Sequence, residues 1–138
     1  MQTSSYLLTL KKNSKYVWGR NFVDIATLDH DIPNDKLLEL PMSSGGFSKR
    51  DKITAYGFPN YNRGDEVSEV EAKITAVSTI SVVERVSVSS ILNKGISGGP
   101  ILERRLHVVG VVHKGGSGET RQLATSIQEV EKISVSSL

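Results

Sequence analysis

Short apolar runs, rich in valine and isoleucine and separated by glycine, proline, asparagine and aspartate, recur along the whole sequence. β-Branched residues favour strands, and the separating residues favour tight turns. Aromatic residues make up only 6% of the chain, so the apolar runs consist mainly of these aliphatic side chains. The pattern predicts an all-β fold with strands at residues 6–10, 16–18, 22–28, 53–57, 71–80, 82–88, 101–103, 107–112 and 122–126.

The end of the chain has a different spacing. Ile127, Val130, Ile133 and Val135 recur at intervals typical of one face of a helix. The sequence therefore predicts a short amphipathic helix at the C-terminus. A length of 138 residues fits a single domain, and no internal repeat or low-complexity linker divides it.

Composition and charge argue against several classes of protein. The 17 basic and 15 acidic residues leave a net charge of +2 and are spread along the chain, so nucleic acid is not the expected partner. The absence of cysteine excludes disulfides, thiolate catalysis and cysteine-based metal sites. No apolar run approaches the roughly 20 residues that span a bilayer, and no signal peptide is visible. We expect no membrane association and, if Met1 is the true start, a cytoplasmic protein.

One segment, NKGISGGP at residues 93–100, contains the pattern G-x-S-x-G around Ser97. In an α/β-hydrolase this pattern lies between a strand and a helix, with the acid and the histidine later in the chain. Here a β run follows and every aspartate precedes the serine, which excludes that interpretation. A phosphate-binding loop is disfavoured because no G-K-[ST] follows. Two interpretations stay open: a turn serine, or a nucleophile in a glycine-rich loop whose amides converge on an oxyanion.

Several stretches together resemble the trypsin-like serine peptidases, and among them the disulfide-free bacterial HtrA-like type. The resemblance rests on DIATL at 24–28, LPMSSGGFSKRDKITAYGFPN at 40–60, VSVSSILNKGISGGPIL at 86–102, HVVGVVHKGG at 107–116, and the segment 124–133. It implies a chymotrypsin-like double β-barrel. Residues 1–45 would form the last strands of an incomplete first barrel, and residues 46–138 the second barrel and the C-terminal helix.

The resemblance also implies roles for single residues. Ser97 corresponds to the nucleophile, Asp24 to the acid that orients the catalytic imidazole, and the amides of Gly95 and Ser97 to the oxyanion hole. We therefore expect a serine endopeptidase that acts on peptide or protein substrates without a cofactor or a metal ion. The simpler alternative for Asp24 is an acid that caps a turn at the end of a strand.

The order of the triad in this family is histidine, aspartate, serine, yet the histidines of this sequence are His30, His107 and His113, all after Asp24. A serine hydroxyl is a poor nucleophile unless an imidazole takes its proton, so we expect the isolated chain to be inactive. Four explanations stay open: a fragment of a protease, a pseudo-protease that binds peptides or serves assembly, completion by another chain, or substitution by His30. Unpaired strand edges in a partial first barrel also suggest a homo-oligomer or a partner segment.

His113 has a separate implied role in substrate binding. The segment His113-Lys114-Gly115-Gly116 resembles the part of glutamate-specific and some viral members in which a histidine lines the specificity pocket. An imidazole can hydrogen-bond an acidic or glutamine side chain there. The alternative is a partly exposed histidine at a strand end, without a role in specificity.

Overall fold

The computed structural model describes residues 15–17, 25–27, 32–36, 39–80, 82–116, 118 and 121–136. The predicted strand at 6–10 lies outside the described residues, and so does most of the predicted strand at 22–28. A short 3₁₀ helix covers Asn34–Lys36. The remaining elements are β1 (Lys15–Val17), β2 (Ile25–Thr27), β3 (Lys52–Gly57), β4 (Ser68–Ile80), β5 (Val83–Val88), β6 (Pro100–Glu103), β7 (Val108–Lys114), β8 (Leu123–Ser126) and α1 (Ile127–Ser136).

Six of the strands form a closed antiparallel barrel in the order β3-β4-β5-β8-β7-β6. Strand β8 lies between β5 and β7, and β3 closes the barrel by pairing with β6. Closure leaves none of these six strands at an edge, which removes the main route by which sheets aggregate. The predicted all-β fold with a short C-terminal helix is confirmed.

The two N-terminal strands form a separate pair. β1 and β2 are antiparallel, with Tyr16 opposite Ala26. In the described part of the chain, these two strands form a sheet of their own. The division into parts of two barrels between residues 45 and 46 stays a prediction.

Alternation along the strands places apolar side chains inside the barrel. In β3, Ile53 and Ala55 are buried, whereas Lys52 is exposed. Two further core residues, Leu92 and Ile96, come from the loop between β5 and β6 rather than from a strand. The buried interior consists of Ile53, Ala55, Ile74, Val86, Val88, Leu92, Ile96, Ile101, Val109, Val112 and Ala124. The loop that carries Ser97 is therefore anchored in the core of the barrel.

Helix α1 packs on the outside of the barrel. Ile127 forms an apolar cluster with Leu102 and Val108. The buried carboxylate of Glu129 accepts a hydrogen bond from the backbone N–H of Glu84 at 3.0 Å, which ties the helix to β5. No helix within the described residues is long and apolar enough to cross a membrane.

Candidate active site

The loop between β5 and β6 ends in two consecutive tight turns at residues 93–96 and 96–99. Ile96 N–H donates to the Asn93 carbonyl at 3.2 Å, and Gly99 N–H donates to the Ile96 carbonyl at 2.9 Å. The third position of each turn has a positive φ, 104° at Gly95 and 84° at Gly98. Because glycine takes such dihedrals readily, the glycines of the sequence pattern allow both turns. The serine is the second residue of the second turn.

The backbone of the two turns packs directly against the backbone at the end of β3. Phe58 N–H donates to the Gly95 carbonyl at 3.2 Å. A Cβ atom at Gly95 would lie 2.3 Å from the Phe58 carbonyl oxygen, and one at Gly99 would lie 1.9 Å from the Tyr56 carbonyl oxygen. The close approach of the two backbones therefore requires glycine at both positions.

Neighbouring side chains of this loop point in opposite directions. Ile96 is 1% exposed and packs in the barrel core. Ser97 is exposed. Because burial of an isoleucine side chain stabilises a protein by about 1.5–3 kcal/mol, Ile96 holds the loop in place. The loop thus presents the Ser97 hydroxyl to solvent, as a nucleophile requires.

The other side of the serine is flanked by the end of β7. Gly98 N–H donates to the Val112 carbonyl at 2.8 Å, and Val112 N–H donates to the Gly99 carbonyl at 2.9 Å. His113 is the next residue, half-buried, at an irregularity in the pairing of β7 with β8 between Val112 and Lys114. His113 therefore belongs to the strand that borders the serine loop. Its role in substrate binding stays a prediction.

The backbone N–H groups of Gly95 and Ser97 are the two that the resemblance assigns to the oxyanion hole. Within the part of the chain that the structure describes, neither Gly95 N–H nor Ser97 N–H donates to a protein acceptor. Such N–H groups stabilise an oxyanion when a carbonyl carbon beside them becomes tetrahedral. The observation agrees with the predicted oxyanion hole, whose function stays a prediction.

An apolar cavity of about 440 Å³ opens beside Ser97 on the side of β3. Its walls include Tyr56, Phe58, Val67 and Pro100. The rings of Phe58 and Tyr61 meet edge to face, with centroids 5.5 Å apart. This arrangement is suited to an apolar side chain held close to the serine.

Asp24 and His30 lie outside the described residues. Ile25, which follows Asp24, is buried and packs with Val83 of β5. His107 lies just before β7, with its Nδ1 atom 3.6 Å from Glu103 Oε1. The described residues contain no group of three or more histidine, cysteine, aspartate or glutamate side chains able to hold a metal ion.

The predicted strand at 122–126 includes Gln122, but no sequence pattern indicated the hydrogen bonds that its side chain makes in the structure. Its side chain hydrogen-bonds backbone groups of Leu92 and Gly116, in the two segments on either side of it. A single polar residue before a strand carries no periodicity, so only the three-dimensional structure identifies it.

The barrel, its C-terminal helix and the glycine-rich serine loop together have the architecture of the trypsin-like serine proteases, and the predicted chymotrypsin-like fold is confirmed. The chain is similar to the active form of the Rv3671c protease from M. tuberculosis, with a TM-score of 0.70 and 17% identity over 85% of this chain and 54% of that chain. A serine endoprotease from Yersinia pestis is similar with a TM-score of 0.69 and 22% identity, over 89% of this chain and 43% of that one.

The HtrA-type protease AlgW, solved with a decapeptide, is similar with a TM-score of 0.66 and 19% identity, over 83% of this chain and 37% of its own. The chain thus spans about half or less of each of these three proteins. No family model and no curated protein sequence matches it. At these identities the similarity is one of fold.

Proposed function

We propose that this protein is a serine endopeptidase in which Ser97 is the nucleophile. The hydroxyl oxygen attacks a peptide carbonyl, the tetrahedral intermediate expels the amine, and water then hydrolyses the acyl ester left on the serine. The N–H groups of Gly95 and Ser97 stabilise the negative oxygen of the intermediate. The observation that supports this most is an exposed serine in a glycine-rich loop in which the N–H groups of Gly95 and Ser97 donate to no protein acceptor among the described residues.

In this proposal Asp24 orients an imidazole, which takes the hydroxyl proton and passes it to the leaving amine. No histidine precedes Asp24 in the sequence, so we propose that the imidazole comes from outside these 138 residues. The apolar cavity beside Ser97 would hold an apolar side chain of the peptide or protein substrate.

The 138-residue chain alone is expected not to react with a fluorophosphonate probe at Ser97. Such probes label serines whose proton is taken by a base, and this chain has no histidine in the position that the mechanism needs. The measurement is the labelling rate of the wild-type chain and of Ser97→Ala, followed by mass spectrometry. Faster labelling of the wild type, located at Ser97, would contradict the proposed absence of a base.

The matched positive experiment uses the genomic sequence in frame upstream of Met1. If it encodes a histidine in a Thr-x-x-His context, the protein extended through that segment should label at Ser97 and cleave an unfolded protein substrate. The same extended protein with Ser97→Ala should do neither. An extended protein that folds but does not label would refute the peptidase proposal.

A second function is a non-catalytic module that binds peptides or serves assembly. The apolar cavity favours it, and so do the Gly95 and Ser97 N–H groups, which donate to no protein acceptor within the described residues, because both can bind a peptide without any base. Peptide binding by the extended protein without cleavage, together with an upstream sequence that lacks histidine, would support this alternative over the first.

We also propose that the chain forms a homodimer, or binds a partner segment, through its N-terminal part. In the described residues β1 and β2 pair only with each other, and such edges attract further strands. Light scattering across a hundredfold range of concentration should give the mass of a dimer at the upper end. A mass near the 15.0 kDa of one chain throughout would contradict the homodimer.

A further inference from the structure

Strand β4 is longer than either of the strands beside it. β3 pairs with its residues 68–73, and β5 pairs with its residues 74–80. Closure of the barrel thus gives β4 a neighbour on each side, but along different halves of its length. At Ile74 the side away from β5 is still occupied, because Ile74 N–H donates to the Asp51 carbonyl at 2.9 Å. Beyond it, residues 75–80, which we call the β4 edge, have no strand on that side within the described parts of the chain.

Hydrogen bonds of β5 show which way its backbone groups point. Val88 N–H donates to the Gln122 carbonyl at 3.0 Å, just before β8, the strand that borders β5 on the side away from β4. Successive residues of a strand point their backbone groups to alternate sides, so Val86 and Glu84 also face away from β4. The hydrogen bond from Glu84 N–H to Glu129 of α1, at 3.0 Å, agrees with this direction.

The pairing of β4 with β5 then fixes the direction of the groups on β4. Thr79 lies opposite Glu84, and Val77 lies opposite Val86. Two residues that are directly opposite in an antiparallel pair either bond to each other or both point away from each other. Val77 and Thr79 therefore direct their N–H and C=O groups toward the open side. In the portion of the chain that the structure describes, these groups have no hydrogen-bond partner.

The composition of the β4 edge does nothing to protect it. Its sequence is TAVSTI, without a charged residue or a proline, the two usual means by which proteins prevent a strand edge from pairing. Most of its residues are β-branched and favour strands. The irregularity in the pairing with β5 lies at its start, between Ile74 and Ala76, and the remaining residues pair regularly as far as Ile80. A second strand can therefore lie along this edge.

The edge is complementary to itself. If two copies pair in antiparallel orientation around a two-fold axis at Ser78, Val77 of one copy lies opposite Thr79 of the other, and the reverse. Because both residues point their backbone groups outward, each of these pairs can exchange two hydrogen bonds. Ala76 lies opposite Ile80 in this arrangement, so no like charges face each other along the edge.

We infer that the β4 edge is an interaction surface for a second copy of this chain, which joins two barrels through one antiparallel sheet. A second copy fits because its register matches and its edge is uncharged, whereas the edge has no charged side chain that would select another peptide. The surface includes neither Ser97 nor the apolar cavity beside it, so the inference goes beyond the proposed function. It is also separate from the β1–β2 pair, which forms its own sheet. Copies joined at both surfaces would form assemblies larger than a dimer.

The first test compares Thr79→Pro with Thr79→Val in the 138-residue chain. Proline removes the outward N–H and is tolerated where a strand does not use that group in its own sheet. Valine keeps both the N–H and the branched shape, so it is the matched control. Circular dichroism shows whether each variant folds, and light scattering across a hundredfold range of concentration gives its mass. The wild type and Thr79→Val should reach the mass of a dimer, whereas Thr79→Pro should dimerise about tenfold or more weakly.

The second test follows amide hydrogen exchange in the wild type at both ends of the same concentration range. In a single chain the N–H groups of Val77 and Thr79 have no acceptor among the described residues, so they should exchange rapidly. In the paired form each donates to the other copy. Exchange at both residues should therefore slow about tenfold or more at the high concentration. Ser97 N–H, which also donates to no described acceptor, should keep its rate.

Three outcomes would overturn the inference. One is a wild-type mass near the 15.0 kDa of one chain at every concentration. Another is a folded Thr79→Pro that dimerises as strongly as the wild type. The third is a dimeric wild type whose exchange at Val77 and Thr79 does not slow, because its interface then lies elsewhere, as at the β1–β2 pair. If Thr79→Pro does not fold, exchange in the wild type decides alone. Labelling of Ser97 is independent of all three, so the proposed function is tested separately.

Discussion

Gly99→Ala is expected to destabilise the protein by about 3 kcal/mol or more, enough to unfold a marginally stable domain. The added Cβ would lie 1.9 Å from the Tyr56 carbonyl oxygen and 2.9 Å from the Ile96 carbonyl oxygen. Both atoms belong to the backbone, so no side-chain rotation relieves the contact. Either β3 or the serine loop must move, and β3 is held by pairing with β4 and β6.

Urea unfolding followed by circular dichroism measures this effect. Gly118→Ala is the matched control, because a Cβ there would meet no atom within 4 Å among the described residues. The control should change the free energy of unfolding by no more than about 0.5 kcal/mol. Similar free energies of unfolding for the two variants would show that the loop does not lie against β3 as described.

Ile96→Ala is expected to lower the free energy of unfolding by about 2–5 kcal/mol, as is typical of large-to-small substitutions in a core. Ile96 is 1% exposed and packs among barrel residues, so truncation leaves a cavity. The same substitution should also loosen the turns around Ser97. Faster hydrogen exchange of Gly98 N–H, which is bonded to the Val112 carbonyl, would report that loosening.

Ile91→Ala is the matched control for this second effect. Ile91 belongs to the same connection but is 53% exposed. Its truncation should cost no more than about 0.5 kcal/mol and leave the exchange of Gly98 N–H unchanged. If both variants lose stability equally, the loop is not anchored through Ile96.

Short apolar runs, some of them alternating, were enough to predict the barrel strands, because each strand buries apolar side chains in the core. Ile53 and Ala55 of β3 follow this rule closely. The start of β4 was harder to predict: the sequence indicated residue 71, and the strand begins at Ser68. Ser68 and Glu69 carry no apolar signal, and pairing of Ser68 with Gly57 of β3 extends the strand. Register with a neighbour, rather than local composition, determines that boundary.

The candidate site was only partly predictable for the same reason. Glycines around Ser97 indicated turns, because positive φ is a local requirement. The close contact of Gly99 with Tyr56 depends on how β6 and β3 pair, which no local pattern contains. Gln122 bonds to Leu92, which lies 30 residues earlier in the chain. The role of Asp24 stays a prediction, as it lies outside the described residues.

The opposite orientation of Ile96 and Ser97 has a consequence for which residues of the loop can be replaced during evolution without loss of the fold. Under the proposed function, reactivity belongs to the exposed Ser97 side chain, whereas Ile96 beside it contributes to the core of the barrel. Replacement of the exposed serine therefore leaves the barrel intact, while replacement of the residues that position it does not. Selection for folding alone would therefore preserve the shape of the serine loop, even without selection for the proposed activity.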